Sequence, residues 1–299
     1  MTLFYTDQYV LPLPEGHRFP MRKYALLRQR VEAEGLARRG WADPPEATLK
    51  QLWRAHSRDY VYRATEGLLS EAEVRRLGFP WSRRMIERSL RSSGATVEAC
   101  KAALDHGVGI NLAGGTHHAF RDAAEGYCVF NDSAIAALEL VETGMARRVL
   151  IVDLDVHQGN GTASILAERP EVFTLSVHGA KNFPLRKETS DLDVALPDGT
   201  GDEAYLAALE RALDEAFERS SPDFLLYVSG ADPYQDDTLG KLSLSMAGLV
   251  ERDRRVFDRA LRHGLPVAVS MAGGYARQVA DTVEIHLNTV REAVQRLWR

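Results

Sequence analysis

In the second half of the chain, short and almost uninterrupted apolar runs alternate with longer stretches whose apolar residues recur every three or four positions. The short runs are 108–112 (VGINL), 148–153 (RVLIVD), 172–177 (VFTLSV), 224–229 (FLLYVS) and 266–271 (PVAVSM). Their β-branched, continuous apolar character predicts strands buried on both faces, as in a parallel sheet. The amphipathic stretches predict helices near 132–142, 161–168, 202–219, 245–263 and 276–298. Asn131–Asp132 offers an N-cap to the first of these, and Gly264–Leu265–Pro266 stops the fourth. Such alternation implies right-handed βαβ units and an α/β fold: a single-domain, open, mostly parallel sheet flanked by helices. The first hundred residues read as a short opening strand (LFY, 3–5) and helices near 20–38, 47–54, 57–68 and 81–105, with loops at 15–21 and 78–81. No linker or low-complexity tract interrupts the pattern, so one domain over 1–299 is expected.

The polar residues fall in register with this pattern. VGINL leads to AGGTHHAF, RVLIV to DLDVHQGNG, FLLYV to SGADPY and PVAVSM to AGGY. Ligands of open parallel sheets bind beyond the carboxyl ends of the strands, so a site is expected at that edge. If DLDVH begins in a strand, side-chain alternation puts Asp153, Asp155 and His157 on one face. Two carboxylates and an imidazole crowded there call for a divalent cation, and mixed oxygen and nitrogen ligands suit Zn²⁺ or Fe²⁺. The same acids would also serve to cap the next helix. Asp232 is a natural third ligand, or else a turn residue before Pro233. His117 and His118 follow Gly114 and Gly115, whose freedom lets both imidazoles face a cleft. Hydrolysis of an amide by metal-activated water needs a base for the water and an acid for the leaving amine, and a histidine pair supplies both. A surface His–His pair is the plainer use of that dipeptide. Tyr275, after Gly273–Gly274, can donate to a developing oxyanion or be an ordinary half-buried tyrosine. Tyr127 and Phe183 can wall a narrow apolar tube or simply pack. Taken together, one cluster after each of four strands points to a mononuclear metal-dependent amide hydrolase.

Composition narrows the partners. The chain has 299 residues, 45% hydrophobic and 26% charged, an ordinary globular balance. Its net charge of −5 and interspersed acids and bases give no footprint for direct nucleic-acid binding. Arg83–Arg84 and Arg254–Arg255 alternate with acids and read as solvated helix faces. The two cysteines, Cys100 and Cys128, form no CxxC pair, which argues against a disulfide or a zinc knot and suits a reducing cytosol. The opening MTLFYTDQYV lacks the features of a signal peptide, and no run of about 18 apolar residues follows. A cytoplasmic, soluble protein with no membrane partner is expected; the oligomeric state is not legible.

LAGGTHHAF, GYCVFND, VDLDVHQGNGT, SVHG, SGADPYQDDTLGKLSLS and MAGGYA resemble, in order and spacing, the motif series of the histone deacetylase superfamily, closest to its class IV-like and bacterial members. The resemblance runs over roughly residues 4–290. It implies the arginase/deacetylase fold and a zinc-dependent deacetylase. By it, Asp155, His157 and Asp232 are the metal ligands. His118 is the general base, His117 its electrostatic partner, and Asp153 orients His117 and favours its charged form. Tyr275 polarises the acyl carbonyl, and Gly126, Tyr127 and Phe183 line the substrate channel. A structural K⁺ is implied at Asp153, Asp155, His157, Ser176 and the backbone of Val177. The implied substrate is an acylated lysine or a small acylated amine such as an acetylpolyamine. Asn160 stands where class I members have an aspartate behind the second histidine, and an amide leaves His118 more readily neutral. Residues 77–90 hold no match for the acid that grips the substrate backbone in class I enzymes, and no exit-channel arginine is assigned. An arginase-like two-metal site needs further carboxylates where Gln158–Gly159 and Pro233–Tyr234 stand. A catalytically silent acyl-ligand-binding protein would need no acid/base apparatus.

Overall fold

The computed structural model describes residues 2–37 and 40–297, so the expected helix ends at 38 and 298 lie outside the described residues. Eight strands form one sheet: β1 (Thr2–Phe4), β2 (Trp41–Ala42), β3 (Val108–Asn111), β4 (Val149–Asp153), β5 (Val172–Gly179), β6 (Leu192–Leu196), β7 (Phe224–Ser229) and β8 (Val267–Met271). Their order is β2-β1-β3-β8-β7-β4-β5-β6, and every neighbouring pair is parallel. The helices are α1 (Arg22–Ala33), α2 (Leu49–Ala55), α3 (Arg58–Glu66), α4 (Glu71–Leu77), α5 (Arg83–His106), α6 (Asp132–Glu142), α7 (Asn160–Leu166), α8 (Asp202–Ser220), α9 (Met246–Arg262) and α10 (Val279–Leu297).

The continuous apolar runs exist because each central strand feeds two cores. Leu150 and Val152 of β4 face a cluster built with α8, α9 and α10, including Leu213, Phe257 and Val290. Val149 and Ile151 face the opposite cluster, with Ile135 and Leu138 of α6 and Val97 of α5. Alternate side chains of a strand leave opposite faces, so a strand between two helix layers has no polar face to show.

Four elements depart from expectation. The opening strand lies one residue earlier than LFY, and β2 and β6 were not foreseen. β2 has only two residues, and β6 alternates exposed and partly buried positions at the sheet edge, so neither carries a buried run. α4, also unforeseen, is a seven-residue helix closed by a Ser70–Glu73 capping box and by Gly78 at φ 82°. No helix among the described residues is long and apolar enough to cross a membrane. Cys100 and Cys128 are both buried and unbridged.

A buried ionic cluster locks the helices to the functional edge. Arg252 of α9, fully buried, lies 2.8 Å from Asp253 and donates to the Gly230 carbonyl at 2.6 Å and to Ser229 Oγ at 3.2 Å. Asp253 also accepts from the Tyr227 hydroxyl at 2.5 Å and from Thr289 at 2.6 Å. One guanidinium thus holds the end of β7, two residues before Asp232.

Candidate active site

The loop after β3 carries the two histidines, and a buried carboxylate shapes it. Asp132, at the start of α6, accepts from Gly115 N at 3.1 Å, Thr116 N at 2.7 Å, Thr116 Oγ1 at 2.6 Å and Thr96 Oγ1 at 2.6 Å. Four donors on one carboxylate satisfy its charge without a counter-ion and fix the turn ahead of His117. The His117 and His118 rings then lie 4.1 Å apart. Each finds a different partner. His117 Nδ1 is 2.6 Å from Asp153 Oδ2, at the end of β4. His118 Nδ1 is 2.6 Å from Asn160 Oδ1, at the start of α7. Asn160 Nδ2 in turn donates to Glu125 Oε2 at 3.0 Å, which leaves the amide oxygen for His118. An oxygen in that place accepts, so His118 carries its proton on Nδ1 and keeps the Nε2 lone pair free.

The electrostatics follow these partners. Burial alone would lower the His117 pKa, but the charges of Asp153 and Asp155 outweigh it and raise it to about 9. Burial, reinforced by His117 and His157, holds His118 well below the usual imidazole value. Burial pushes Asp153 upward against the pull of His117. Adjacent groups with oppositely displaced pKa values form an acid/base pair in which one member is charged and the other neutral near pH 7.

Beyond β4 the backbone does not continue as a regular strand through His157, as the alternation argument assumed. Instead Asp153 Oδ1 accepts from Asp155 N at 3.1 Å, and Asp155 Oδ1 accepts from His157 N at 2.9 Å. These side-chain-to-backbone bonds replace ladder bonds and fold the segment so that Asp155 and His157 meet, with Oδ1 2.9 Å from Nδ1. Asp232 arrives from β7, the spatial neighbour of β4. Its Oδ1 accepts from Val156 N at 2.9 Å. Its Oδ2 lies 3.2 Å from His157 Nδ1, yet that buried atom has no hydrogen-bond partner among the described residues. Gly273, after β8, donates its N–H to Asp155 Oδ2 at 2.8 Å, and a Cβ at this position would fall 1.8 Å from Asp232 Oδ2. Only glycine fits there.

Asp155, His157 and Asp232 are all buried and offer ligand atoms within 4.8 Å of one another. Burial and the neighbouring Asp155 carboxylate push Asp232 up to about 7. His157, lowered by burial, is carried to about 10 by Asp155 and Asp232. Two carboxylates against one imidazole, with an orphaned oxygen between them, fit one divalent cation: it would ligate that oxygen and neutralise the crowded charge. Among the described residues no second group of three His, Cys, Asp or Glu ligand atoms comes this close together. Gln158 Nε2 is spent on the Glu188 carbonyl and Asp193, at 2.7 and 2.8 Å, and Pro233 follows Asp232.

A cavity of about 670 Å³ opens above this group, with His117, His118, Asp155, His157 and Tyr275 on its lining. Gly126, Tyr127 and Phe183 also line it. A Cβ on Gly126 would lie 2.6 Å from His118 Cδ2, so the glycine permits this close approach. Tyr127 adopts φ 67°, held by its N–H on the Leu77 carbonyl at 2.7 Å. The Phe183 ring meets His118 edge to face at 4.9 Å. Tyr275 N donates to Asp237 Oδ2 at 2.6 Å, and the Thr238 hydroxyl donates to the Tyr275 carbonyl at 2.8 Å. Burial, then Asp232 and Asp155, push the Tyr275 phenol well above its usual value, so it remains a donor. Ser176 lies beside Asp153 in the β4–β5 register with Val177 next to it, and its Oγ is 3.0 Å from His178 Nδ1.

Several members of this site escaped the sequence reading. Asp132, Thr116, Glu125 and Asp237 act on loop backbones or on other side chains, and Phe19 and Lys23 come from the segment around α1 that no pattern tied to the sheet edge. Lys23 is buried, donates to the Ala272 carbonyl at 3.0 Å, and lies 5.5 Å from the centre of the Tyr275 ring.

Comparison with known proteins agrees with this architecture. Residues 17–290 match the histone deacetylase domain family. An uncharacterized protein of Picosynechococcus sp. is 42% identical over 283 residues, covering 94% of each chain. The histone deacetylase-like amidohydrolase of Pseudomonas aeruginosa is 30% identical over 95% of this chain and 80% of its own. The crystal structure of a histone deacetylase homologue from Aquifex aeolicus superposes with a TM-score of 0.85 at 25% identity, covering 99% of this chain and 84% of that one. A homologue complexed with SAHA superposes at 0.86 and 26% identity, with the same coverage. With a shared parallel sheet and a family match across nearly all of its length, this chain belongs to the histone deacetylase family.

Proposed function

We propose that the protein is a metal-dependent deacylase that hydrolyses the amide of an acylated lysine side chain, with residues 1–299 as one catalytic domain. The observation that carries this reading is the oppositely biased pair His117 and His118 beside a one-ion ligand group at the floor of a tube. The amidohydrolase of Pseudomonas aeruginosa and the neighbour solved with SAHA, an acyl-lysine mimic, support it. Asp155, His157 and Asp232 would hold Zn²⁺, or Fe²⁺ as the other candidate for this donor set. Asp153, Asp155, His157, Ser176 and the Val177 backbone would hold a structural K⁺. When bound, the divalent ion supplies Lewis-acid polarisation of the acyl carbonyl and of the attacking water.

The residues do the rest. The acyl-bearing side chain lies between Tyr127 and Phe183, which exclude water from its methylenes. The Tyr275 phenol donates to the carbonyl oxygen as negative charge gathers there. His118 takes the proton of the attacking water at Nε2, the atom its Nδ1–H···Asn160 bond leaves free. The same Nε2 returns that proton to the nitrogen as the C–N bond breaks, giving a carboxylic acid and an amine, and the acid's proton then passes to the amine to leave a carboxylate and an ammonium. His117, charged against Asp153, stabilises the negative charge of the transition state. Two buried, unbridged cysteines support a reducing compartment, and we place the enzyme in the cytoplasm. The test is turnover of a fluorogenic acetyl-lysine substrate, its loss with a chelator, and its return with Zn²⁺ or Fe²⁺. Binding of the substrate without turnover under every metal condition would reject the reading in favour of a silent binding protein.

A further inference from the structure

The mouth of the cavity is basic, on a chain whose 42 acids outnumber its 37 bases. Arg75, Arg76, Lys181 and Lys241 all line the cavity and all are exposed. They stand on two sides of the channel. Arg75 and Arg76 close α4, whose last carbonyls anchor the channel wall: Gly126 N donates to the Arg76 carbonyl at 3.2 Å, and Arg76 Nε donates to the Ala124 carbonyl at 3.2 Å. Lys181 and Lys241 stand on the Phe183 side, where Lys241 Nζ donates to the Lys181 carbonyl at 3.0 Å.

The lining contains two acids, Glu125 and Asp155. Asp155 belongs to the metal group on the floor, and Glu125, which accepts from the neutral Asn160 amide and keeps its charge, leaves four bases against one acid around the mouth. Glu71 reaches Arg75 at 3.5 Å, but both are exposed, and such pairs hold little. The charge at the mouth therefore faces outward, toward whatever carries the acylated amine. A polyamine or a lysine-rich tail would meet four like charges there, whereas carboxylates would find partners on both sides.

We propose that the mouth selects acyl-lysine carried in an acidic peptide segment, with flanking carboxylates paired to Arg75, Arg76, Lys181 and Lys241. The selection rests on the deacylase reading, and acts on capture of the peptide rather than on the amide chemistry. Pairs at an exposed mouth act over about 10 Å at 0.1 M salt and weaken as salt rises. The decisive experiment measures kcat/KM on three acetyl-lysine peptides that differ only in flanking residues: aspartates, serines or lysines. At low salt the expected order is acidic, neutral, basic, with about tenfold between the ends, a gap that closes at high salt. The double variant Arg75→Glu/Lys241→Glu should reverse the acidic-to-neutral ratio, which is internal to each protein sample and so insensitive to a partly folded fraction. Equal values for the three peptides, or preference for the basic one, overturns the selection while leaving the deacylase reading intact. Hydrolysis of none of them with metal supplied overturns both.

Discussion

His117 and His118 are neighbours in sequence and in space, yet the atoms behind them decide their different work. A carboxylate behind His117 favours the imidazolium; an amide oxygen behind His118 fixes the tautomer without paying for a positive charge. As the proposed base His118 must be deprotonated for activity, and its pKa is depressed below the ordinary 6.5. The acid limb of kcat/KM therefore lies below pH 6.5. Asn160→Asp would stabilise the protonated ring, raise that pKa and move the acid limb to higher pH; an unmoved limb in the pH–rate profile would contradict this role for the amide. Glu125→Ala frees the Asn160 amide to rotate, so a loss of about tenfold in kcat is expected, on the scale of misplacing a base. Glu125→Gln still accepts from Asn160 Nδ2 and should keep most of the rate. Tyr275→Phe removes the proposed donor to the carbonyl oxygen and should lower kcat by about 10²–10³, with the structure unchanged by circular dichroism. The groups that would touch substrate or metal were legible because they are chemically loud residues at strand ends. Asp132, read only as part of a helix cap, and Glu125 and Asp237 were silent as site residues, since an acid that accepts from backbone N–H groups or from a side-chain amide looks like any surface acid until the loops are folded against it.

At the scale of elements, burial decides what a pattern reveals. Strands β3, β4, β5, β7 and β8 are buried on both sides, and their apolar runs announced them within a residue or two. β6 at the edge and the two-residue β2 bury too little to leave such a run. α4 carries a clear start, Ser70 with Glu73 three residues on, but too few apolar positions for periodicity to register. The ends of β4 and β7 matter most, because both proposed ligand carboxylates hang from them. Arg252 and Asp253 hold that end in place from α9, with both side chains removed from water. Arg252→Ala would strand the Asp253 carboxylate in the core, and a destabilisation of about 3–5 kcal/mol is expected from chemical denaturation. The Gly230 carbonyl loses its donor in the same variant, so metal affinity should fall with stability rather than independently of it.

For the molecule as a whole, the edge of the sheet is a concession of stability to function. Two helix layers and two apolar cores hold a set of buried carboxylates and imidazoles that, without a cation, leave Asp232 Oδ2 unpartnered and its carboxyl partly protonated near neutral pH. Filling that place should therefore stabilise the fold. A ligand at a hundred times its dissociation constant contributes about 2.7 kcal/mol, and in a protein somewhat smaller than this one each kcal/mol moves Tm by about 2–4 °C. Zn²⁺ added to stripped protein should thus raise Tm by about 5 °C or more, with one ion bound per chain by elemental analysis. Asp232→Asn keeps an oxygen toward Val156 N but loses the charge that needs neutralising. It should melt at or above the stripped wild type, because the crowding is relieved, and its Tm should respond little to Zn²⁺. Two ions per chain, or an equal rise in Tm for Asp232→Asn, would mean that the ion sits elsewhere and that Asp155, His157 and Asp232 are joined by hydrogen bonds alone.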